Sequence, residues 1–503
     1  MTEQNTGAKS LDVGRALQSA HNWKHLARWD GRGFYALHTD DTRDVPVRLF
    51  LTPQLLANAE DILYRQIVNA TRFPGVRMVV ITPDTHYGYG VPVGCVLITD
   101  ADSGAVAMGP VGYDIGCGMM SARSEVEAEE ATPEKRLEFN RAVMARVDMG
   151  FGGKSKRLGR LSGTEFQNLV RGGAEYYVEQ YGASFDRSRA ERHRIPVEDS
   201  WQIPWGGKGR PERGLEQLGS LGGGNHFIEL QRSEQTGTLF LQVHTGSRGF
   251  GHGLATNYFE KAREERPADI KDMDLGYFTP DSRHYRDYLN AVAAGGNYAI
   301  LNRLVIFEQV AEAFREVFGR ELELVYEISH NLVQKERHPE LGEVWVHRKG
   351  ATRAFPAGHP ALRGTFWEET GHPVLIPGSN KDWSYILRPL EGAVRSGYSV
   401  NHGAGRRLSR GEATRTLSQR AIDDEYREAG VVVNVNGRVP LDEAAPAYKS
   451  SQEVIEAVTG AGLAEVEHRL WPLASLKGVD ERKGKKRFKK GGGRGPKKTS
   501  EHY

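Results

Sequence analysis

Cysteine is almost absent from this chain: Cys95 and Cys117 are the only two in 503 residues. That excludes a disulfide framework, and a reducing compartment, here the cytoplasm, fits such usage best. Long hydrophobic runs are missing too. No stretch of about 18 apolar residues occurs, so no membrane span is expected. Residues Met1 to Asn22 include Glu3 and Asp12 and lack the basic and apolar regions of a secretory signal. There is no CxxC or HExxH signature and no fixed-period repeat. What remains, 39% hydrophobic and 26% charged residues, is ordinary for a large soluble globular protein.

The net charge of +2 conceals an asymmetry. Residues 479–503 hold ten Lys or Arg against three acids, so this tail is +7 and the preceding 478 residues are −5. A tail of that composition, with Gly491-Gly492-Gly493 and Pro496, cannot build a core and is expected to be disordered. It either solubilises the protein or attracts a polyanion by counterion release.

Interleaved helical and strand patterns point to a mixed α/β (α+β) architecture. Residues 1–45 read as a leading segment, 46–478 as one large domain, and 479–503 as the tail. Apolar spacing predicts helices over 12–28, 53–69, 129–149 and 285–316. Short apolar or alternating runs predict strands at 47–52, 76–81, 91–99, 227–231, 238–244, 321–328, 344–347, 374–376, 431–435 and 470–476. Residues 83–90 read as a turn-rich link.

Five short segments each set a metal-capable side chain inside a Gly- or Asn-containing turn. They are Asp114-Ile115-Gly116-Cys117-Gly118, Gly223-Gly224-Asn225-His226, His244-Thr245-Gly246-Ser247-Arg248-Gly249, Ser329-His330-Asn331 and Asn401-His402-Gly403-Ala404-Gly405-Arg406. Glycine lets backbone approach a ligand closely or adopt positive φ. Asp114 and Cys117 lie three apart, so one turn can direct both at a single cation, which would hold the cysteine as thiolate. Taken singly, a free cysteine is commonly a small buried hydrophobe, and each histidine an ordinary loop residue. The number of segments is what favours a metal site built from Asp114, Cys117, His226, His244 and His330. Such a donor set suits Mn²⁺, Zn²⁺ or Fe²⁺, and five ligands leave room for two adjacent ions, a common arrangement in phosphoryl chemistry.

The fifth segment differs, because His402 is followed by small residues whose amides can form an anion-binding nest, and by Arg406. His347-Arg348-Lys349-Gly350-Ala351-Thr352-Arg353 and Pro377-Gly378-Ser379-Asn380 are further loops of this kind. Each alone is a surface turn; together, beside a metal set, they favour a nucleoside triphosphate. His402 has the best context for a covalent nucleophile that splits one phosphoryl transfer into two steps.

The motifs Asp-Ile-x-Cys-Gly at 114–118, Gly-Gly-Gly-Asn-His-Phe-x-Glu at 222–229, His-x-Gly-Ser-Arg-Gly at 244–249, Ser-His-Asn at 329–331, His-Arg-Lys-Gly-Ala-Thr-Arg at 347–353, Leu-Ile-Pro-Gly-Ser at 375–379 and His-Gly-Ala-Gly-Arg at 402–406 stand in family order. With these motifs, the stretch from about Leu49 to Gly478 resembles the RtcB family of RNA-splicing ligases. The resemblance implies a single large domain with central mixed sheets around a metal and nucleotide cleft. It implies a GTP- and Mn²⁺-dependent ligase joining RNA 3′-phosphate or 2′,3′-cyclic phosphate ends to 5′-hydroxyl ends, in tRNA splicing or RNA repair. Two Mn²⁺ ions would be held by Asp114, Cys117, His226, His244 and His330. His402 would be guanylylated and would pass GMP on to give an RNA(3′)pp(5′)G intermediate. Nucleotide contacts carry over to Asn225, His226, Phe227, Ile228, Glu229, His330, Asn331, Pro377, Gly378, Ser379, Asn380, Ser384, His402, Gly403, Ala404, Gly405 and Lys477. RNA, GTP and an archease-like activator are the implied partners.

Three departures from the family pattern stand out. Asn380-Lys381-Asp382-Trp383 replaces Met-Gly-Thr, Val400-Asn401 replaces Thr-Cys, and Gly116 stands where Asn is usual. They suggest a divergent branch acting on damaged RNA. They also motivate an alternative, an enzyme that caps or processes RNA 3′-phosphates without efficient sealing.

Overall fold

Alternation of apolar residues dictates the pairing of Phe227–Ser233 with Thr238–Thr245, two largely buried strands joined by a short polar link. In the computed structural model, which describes residues 22–182 and 194–478, this hairpin is the middle of one of two large sheets. The first sheet has seven strands in the order Ala27–Trp29, Tyr35–Leu37, Val47–Leu49, Val76–His86, Val93–Asp100, Gly342–Lys349 and Asn331–His338. The second runs Glu323–Ser329, Gly118–Glu127, Thr238–Thr245, Phe227–Ser233, Ala464–Leu476, Ser384–Pro389 and Val374–Ile376, with Val432–Val433 beside Ala464–Leu476. Within these sheets, Val47–Leu49 with Val76–His86 and Val432–Val433 with Ala464–Leu476 pair in parallel. The chain passes from one sheet to the other at His330. The architecture is the expected mixed α/β domain.

A 34-residue helix, Tyr285–Phe318, is buried along most of its length and packs across three strands of the second sheet. Its expected range, 285–316, falls two residues short of the end, where Gly319 closes it in the left-handed conformation. Other expectations need correction. Of the helix expected over 12–28, residues 12–21 lie outside the described residues. Trp23–Leu26 makes one turn and Ala27–Trp29 is a strand, because it pairs with Tyr35–Leu37. The helix expected over 53–69 is two, Pro53–Ala57 and Ile62–Ala70; the link lets the Glu60 carboxylate accept the Tyr87 amide at 3.1 Å. The strand from Val76 runs on to His86, with a register break after Ile81 that turns residues 82–85 out of the ladder. Helix Arg248–Glu265 was not expected, since Gly249, Gly251 and Gly253 lower its propensity. A Cβ on Gly253 would fall 2.6 Å from the Pro211 nitrogen, so close packing explains that glycine. The tail over 479–503 lies outside the described residues.

Candidate metal and nucleotide site

Register brings the expected ligands together. His244 is opposite Met119 on one side and opposite Phe227 on the other, while Ser329 is opposite Gly118. Cys117, His226, His244 and His330 therefore sit at one end of four neighbouring strands. The long helix fastens the loops that hold them. Buried Arg303 donates to the carbonyls of Gly116 and Thr245 and to Ser329 Oγ, each at 2.8 Å, and pairs with buried Glu327. Its neighbour Asn302 donates to Ser220 O at 3.1 Å and to Gly246 O at 3.2 Å. Arg303→Met should lower unfolding stability by about 3–5 kcal/mol in denaturant titrations, since it takes the guanidinium away from the buried Glu327 carboxylate and its donors away from three loop acceptors. A loss below 1 kcal/mol would remove the fastening role.

Two triads have the donors and spacing to hold a cation, and Cys117 belongs to both. One is Asp114–Cys117–His226 and the other Cys117–His244–His330, with the ligand atoms of each within 4.8 Å of one another. His226 Nδ1 donates to Leu221 O at 3.1 Å and His244 Nδ1 to Asn225 O at 3.0 Å. A carbonyl only accepts, so both Nδ1 atoms are protonated and the Nε2 atoms are the ones turned to the ligand set. Those atoms converge: His244 Nε2 is 3.4 Å from Cys117 Sγ and 3.3 Å from His330 Nε2, and His226 Nε2 is 3.2 Å from Asp114 Oδ2. Burial, reinforced by neighbouring imidazoles, holds His244 and His330 well below the usual histidine range, in the neutral form that ligates. Burial, and then the Asp114 charge, push the Cys117 thiol up. Without a cation it stays protonated; a divalent ion is what makes it a thiolate. Burial alone would raise Asp114, but the His226 ring and the Ser247 amide outweigh it and hold the carboxyl at about 2. A Cβ on Gly246 would lie 2.2 Å from Asp114 Oδ2, so only glycine leaves that carboxylate room. The donor set fits a divalent transition metal.

His402 follows the short strand Ser399–Asn401, whose Asn401 pairs with Ala351, and the Ala351 amide bonds to His330 O at 3.2 Å. This places the His402 ring 4.8 Å from the His330 ring, centroid to centroid. Behind it lies a residue the motif reading passed over, Asp84, fully buried on the irregular end of its strand. His402 Nδ1 donates to Asp84 Oδ2 at 2.6 Å, and the same oxygen accepts the amides of His402 and Gly403 at 3.1 and 3.3 Å. Burial pushes the Asp84 carboxyl up, yet His402 and Thr82 hold it below the ordinary aspartate value. The ring is thus oriented with Nε2 directed away from its anchor.

The family model for the tRNA-splicing ligase RtcB matches residues 66–478. The chain is 36% identical over 469 residues to a tRNA-splicing ligase RtcB of Thermococcus kodakarensis, covering 87% of this chain and 96% of that protein. It is 38% identical over 441 residues to an RNA-splicing ligase RtcB of Mycobacterium bovis, covering 82% of this chain and all of that protein. This chain belongs to the RtcB family.

In this RtcB family member, His402, Asp114, Cys117, His244 and His330 open onto a cavity of about 400 Å³. Asn225, Phe227, Glu229, His330, Asn331, Pro377, Gly378, Ser379, Asn380, Gly403, Ala404, Gly405 and Lys477 line it. Three residues singled out for nucleotide contact do not, His226, Ile228 and Ser384. The Ile228 side chain points into the core, as strand alternation demands between Phe227 and Glu229, and Ser384 Oγ instead accepts the Gly378 amide at 3.0 Å. Sequence reading missed Glu443 and Tyr448, which line the wall from chain that forms only short 3₁₀ turns. Glu443 is ringed by Arg406 at 3.3 Å, Arg410 at 3.1 Å and Lys477 at 3.7 Å, and Tyr448 donates to it. Three cations around one carboxylate leave an excess of positive charge on this wall, suited to receiving an anion.

The departures from the RtcB pattern mostly face away. Lys381 pairs with Glu425, Asp382 accepts the Ser451 amide at 2.8 Å, and Trp383 meets Trp471 edge-on with Arg469 over its ring at 4.4 Å. Asn401 braces the His402 loop by donating to Gly403 O at 2.8 Å. Asn380 alone among residues 380–383 lines the cavity. Among the described residues, no helix is long and apolar enough to cross a membrane.

Proposed function

We propose that this protein joins RNA ends bearing a 3′-phosphate or 2′,3′-cyclic phosphate to ends bearing a 5′-hydroxyl, using GTP and Mn²⁺. The observation that supports it best is the pairing of an Asp84-anchored His402 with a two-triad metal set in one cavity. Asp114, Cys117 and His226 would hold one ion and Cys117, His244 and His330 the other, and bound Mn²⁺ would offset charge on phosphate oxygens. His402 Nε2 attacks the α-phosphorus of GTP, its bond to the β-phosphate oxygen breaks, and pyrophosphate leaves. Asp84 stabilises the imidazolium that forms, while the Gly403 to Gly405 backbone and Lys477 face the transferred phosphate. An oxygen of the RNA 3′-phosphate then takes the guanylyl group and frees His402. Last, the 5′-hydroxyl attacks the RNA phosphorus and GMP departs. Residues 46–478 are the catalytic unit in this reading, the basic tail an RNA-contacting extension, and the cytoplasm the setting.

Incubation with Mn²⁺ and α-labelled GTP tests the reading: an acid-labile adduct on His402 is expected, then joined RNA once both ends are supplied. Persistent absence of label would end it. A pH dependence follows from Glu229, which the RtcB resemblance makes a guanine reader. Burial raises its carboxyl to about 7 despite the Gln231 amide and Lys477. Protonated below that value and ionised above it, Glu229 offers two charged acceptor oxygens to a pair of guanine N–H groups only in the ionised form. The KM for GTP should fall roughly 10-fold from about pH 6 to about pH 8, and Glu229→Gln should flatten that profile. A wild-type KM independent of pH would remove Glu229 from guanine reading.

A further inference from the structure

Beyond Asp114 the cavity wall turns aromatic. Tyr113 stacks on His252 with centroids 5.4 Å apart and rings 28° from parallel, and leans on Phe259 at 4.8 Å. Tyr89 meets Tyr113 edge-on at 6.2 Å. His252 and Phe259 are seven residues apart on helix Arg248–Glu265, so both project from one face. The rings are held from behind. Tyr113 donates to Asp274 at 2.9 Å, and the Lys349 ammonium bonds to the carbonyls of Tyr89 and Val91 at 2.6 and 3.1 Å. All four rings line the cavity, yet Tyr89, Tyr113 and His252 are only partly buried. An aromatic cluster that served the core alone would be sealed; this one presents ring surface to the space in front of His402. A Cβ on Gly350 would lie 2.9 Å from His402 Cε1, and Gly350, Lys349, His402 and the aromatic wall all line one cavity.

The geometry points to a nucleobase subsite: the Tyr89–Tyr113–His252 wall receives the base of the last nucleoside on the RNA strand that ends in 3′-phosphate. The inference rests on the ligase reading and deepens it. That strand is the occupant because its own phosphate must reach His402 to take the guanylyl group, which puts its terminal nucleoside nearest the ring. The 5′-hydroxyl strand is needed only for the final step. Bases of any identity stack on aromatic faces, so the subsite tolerates every sequence while sensing that a base is present.

An RNA oligonucleotide ending in 3′-phosphate, with 2-aminopurine as its last base, should be quenched on binding to the Mn²⁺-loaded protein. Deleting that base to leave an abasic terminus should weaken binding about 5- to 150-fold. Tyr89→Leu and His252→Leu should each erase most of that difference, and Tyr89→Phe, which keeps the ring, should restore it. Three results would overturn the subsite: equal affinity of the wild-type protein for intact and abasic ends, a penalty confined to abasic 5′-hydroxyl ends, or leucine variants that still discriminate. Adduct formation from GTP alone, which needs no RNA, is scored in parallel. Its failure in the wild-type protein counts against the ligase reading, whereas the binding comparison judges the stacking wall.

Discussion

His402→Ala is expected to form no covalent guanylate and to join no RNA, because the variant removes the only nitrogen proposed to take the guanylyl group. A subtler change separates chemistry from folding. In Asp84→Asn, one carboxylate oxygen becomes an amide that can donate to Nδ1. The imidazole would then carry its proton on Nε2, where the lone pair is needed. Adduct formation should fall roughly 10³- to 10⁴-fold, as tautomer reversal costs in other histidine systems. Cavity shape and GTP binding should change less, since the oxygen that remains on residue 84 still accepts from Thr82. Rapid-quench measurement of labelled adduct, beside equilibrium GTP binding, separates the two effects. Normal adduct rates in Asp84→Asn would dismiss the orienting role, and an adduct in His402→Ala would place the nucleophile elsewhere.

Cys117→Ala should have the second large effect. Its sulfur belongs to both triads, so one substitution takes a ligand from each. Mn²⁺ affinity at both positions should drop at least about 100-fold, given that even the outer partners of metal ligands are worth about 10- to 100-fold. His226→Ala offers the contrast, because it removes a ligand from one triad only. Metal titration followed by calorimetry should therefore show one tight ion in His226→Ala and none in Cys117→Ala. Two tight ions in the cysteine variant would contradict the shared-sulfur arrangement. The thiol's raised pKa adds a sign that can be checked: thiolate forms only with the metal, so loading should release protons, and tightness should increase with pH.

Much of this site could be read from residue order, and the reason is local. Turns such as Asp114–Gly118 and His402–Arg406 keep their ligands within a few residues, so spacing alone reveals them. Strand ends at 244 and 330 were likewise visible, because apolar alternation stops there. Asp84 was not, since an isolated aspartate in a turn-rich stretch has many ordinary uses. Its role exists only because a register break turns it toward a loop 318 residues away. Glu443 and Tyr448 escaped for a related reason. They come from chain without periodicity, gathered by cations that lie elsewhere in the sequence. Helix Arg248–Glu265 was hidden by the glycines that let it pack. The departures at 380–383 looked like intrusions beside the nucleotide, but position decided otherwise: three of the four residues face away from the cavity and toward partners of their own.

The fastening of ligand loops to Arg303 and Asn302 also bears on how this enzyme comes apart. Loops usually exchange their amide protons through small, independent openings, well below the free energy of global unfolding. Here the carbonyls of Gly116, Thr245 and Gly246 share one buried anchorage, so none can swing out without disturbing the others. Their backbone should stay protected until the whole domain opens, and both cations would then be shed in a single cooperative event.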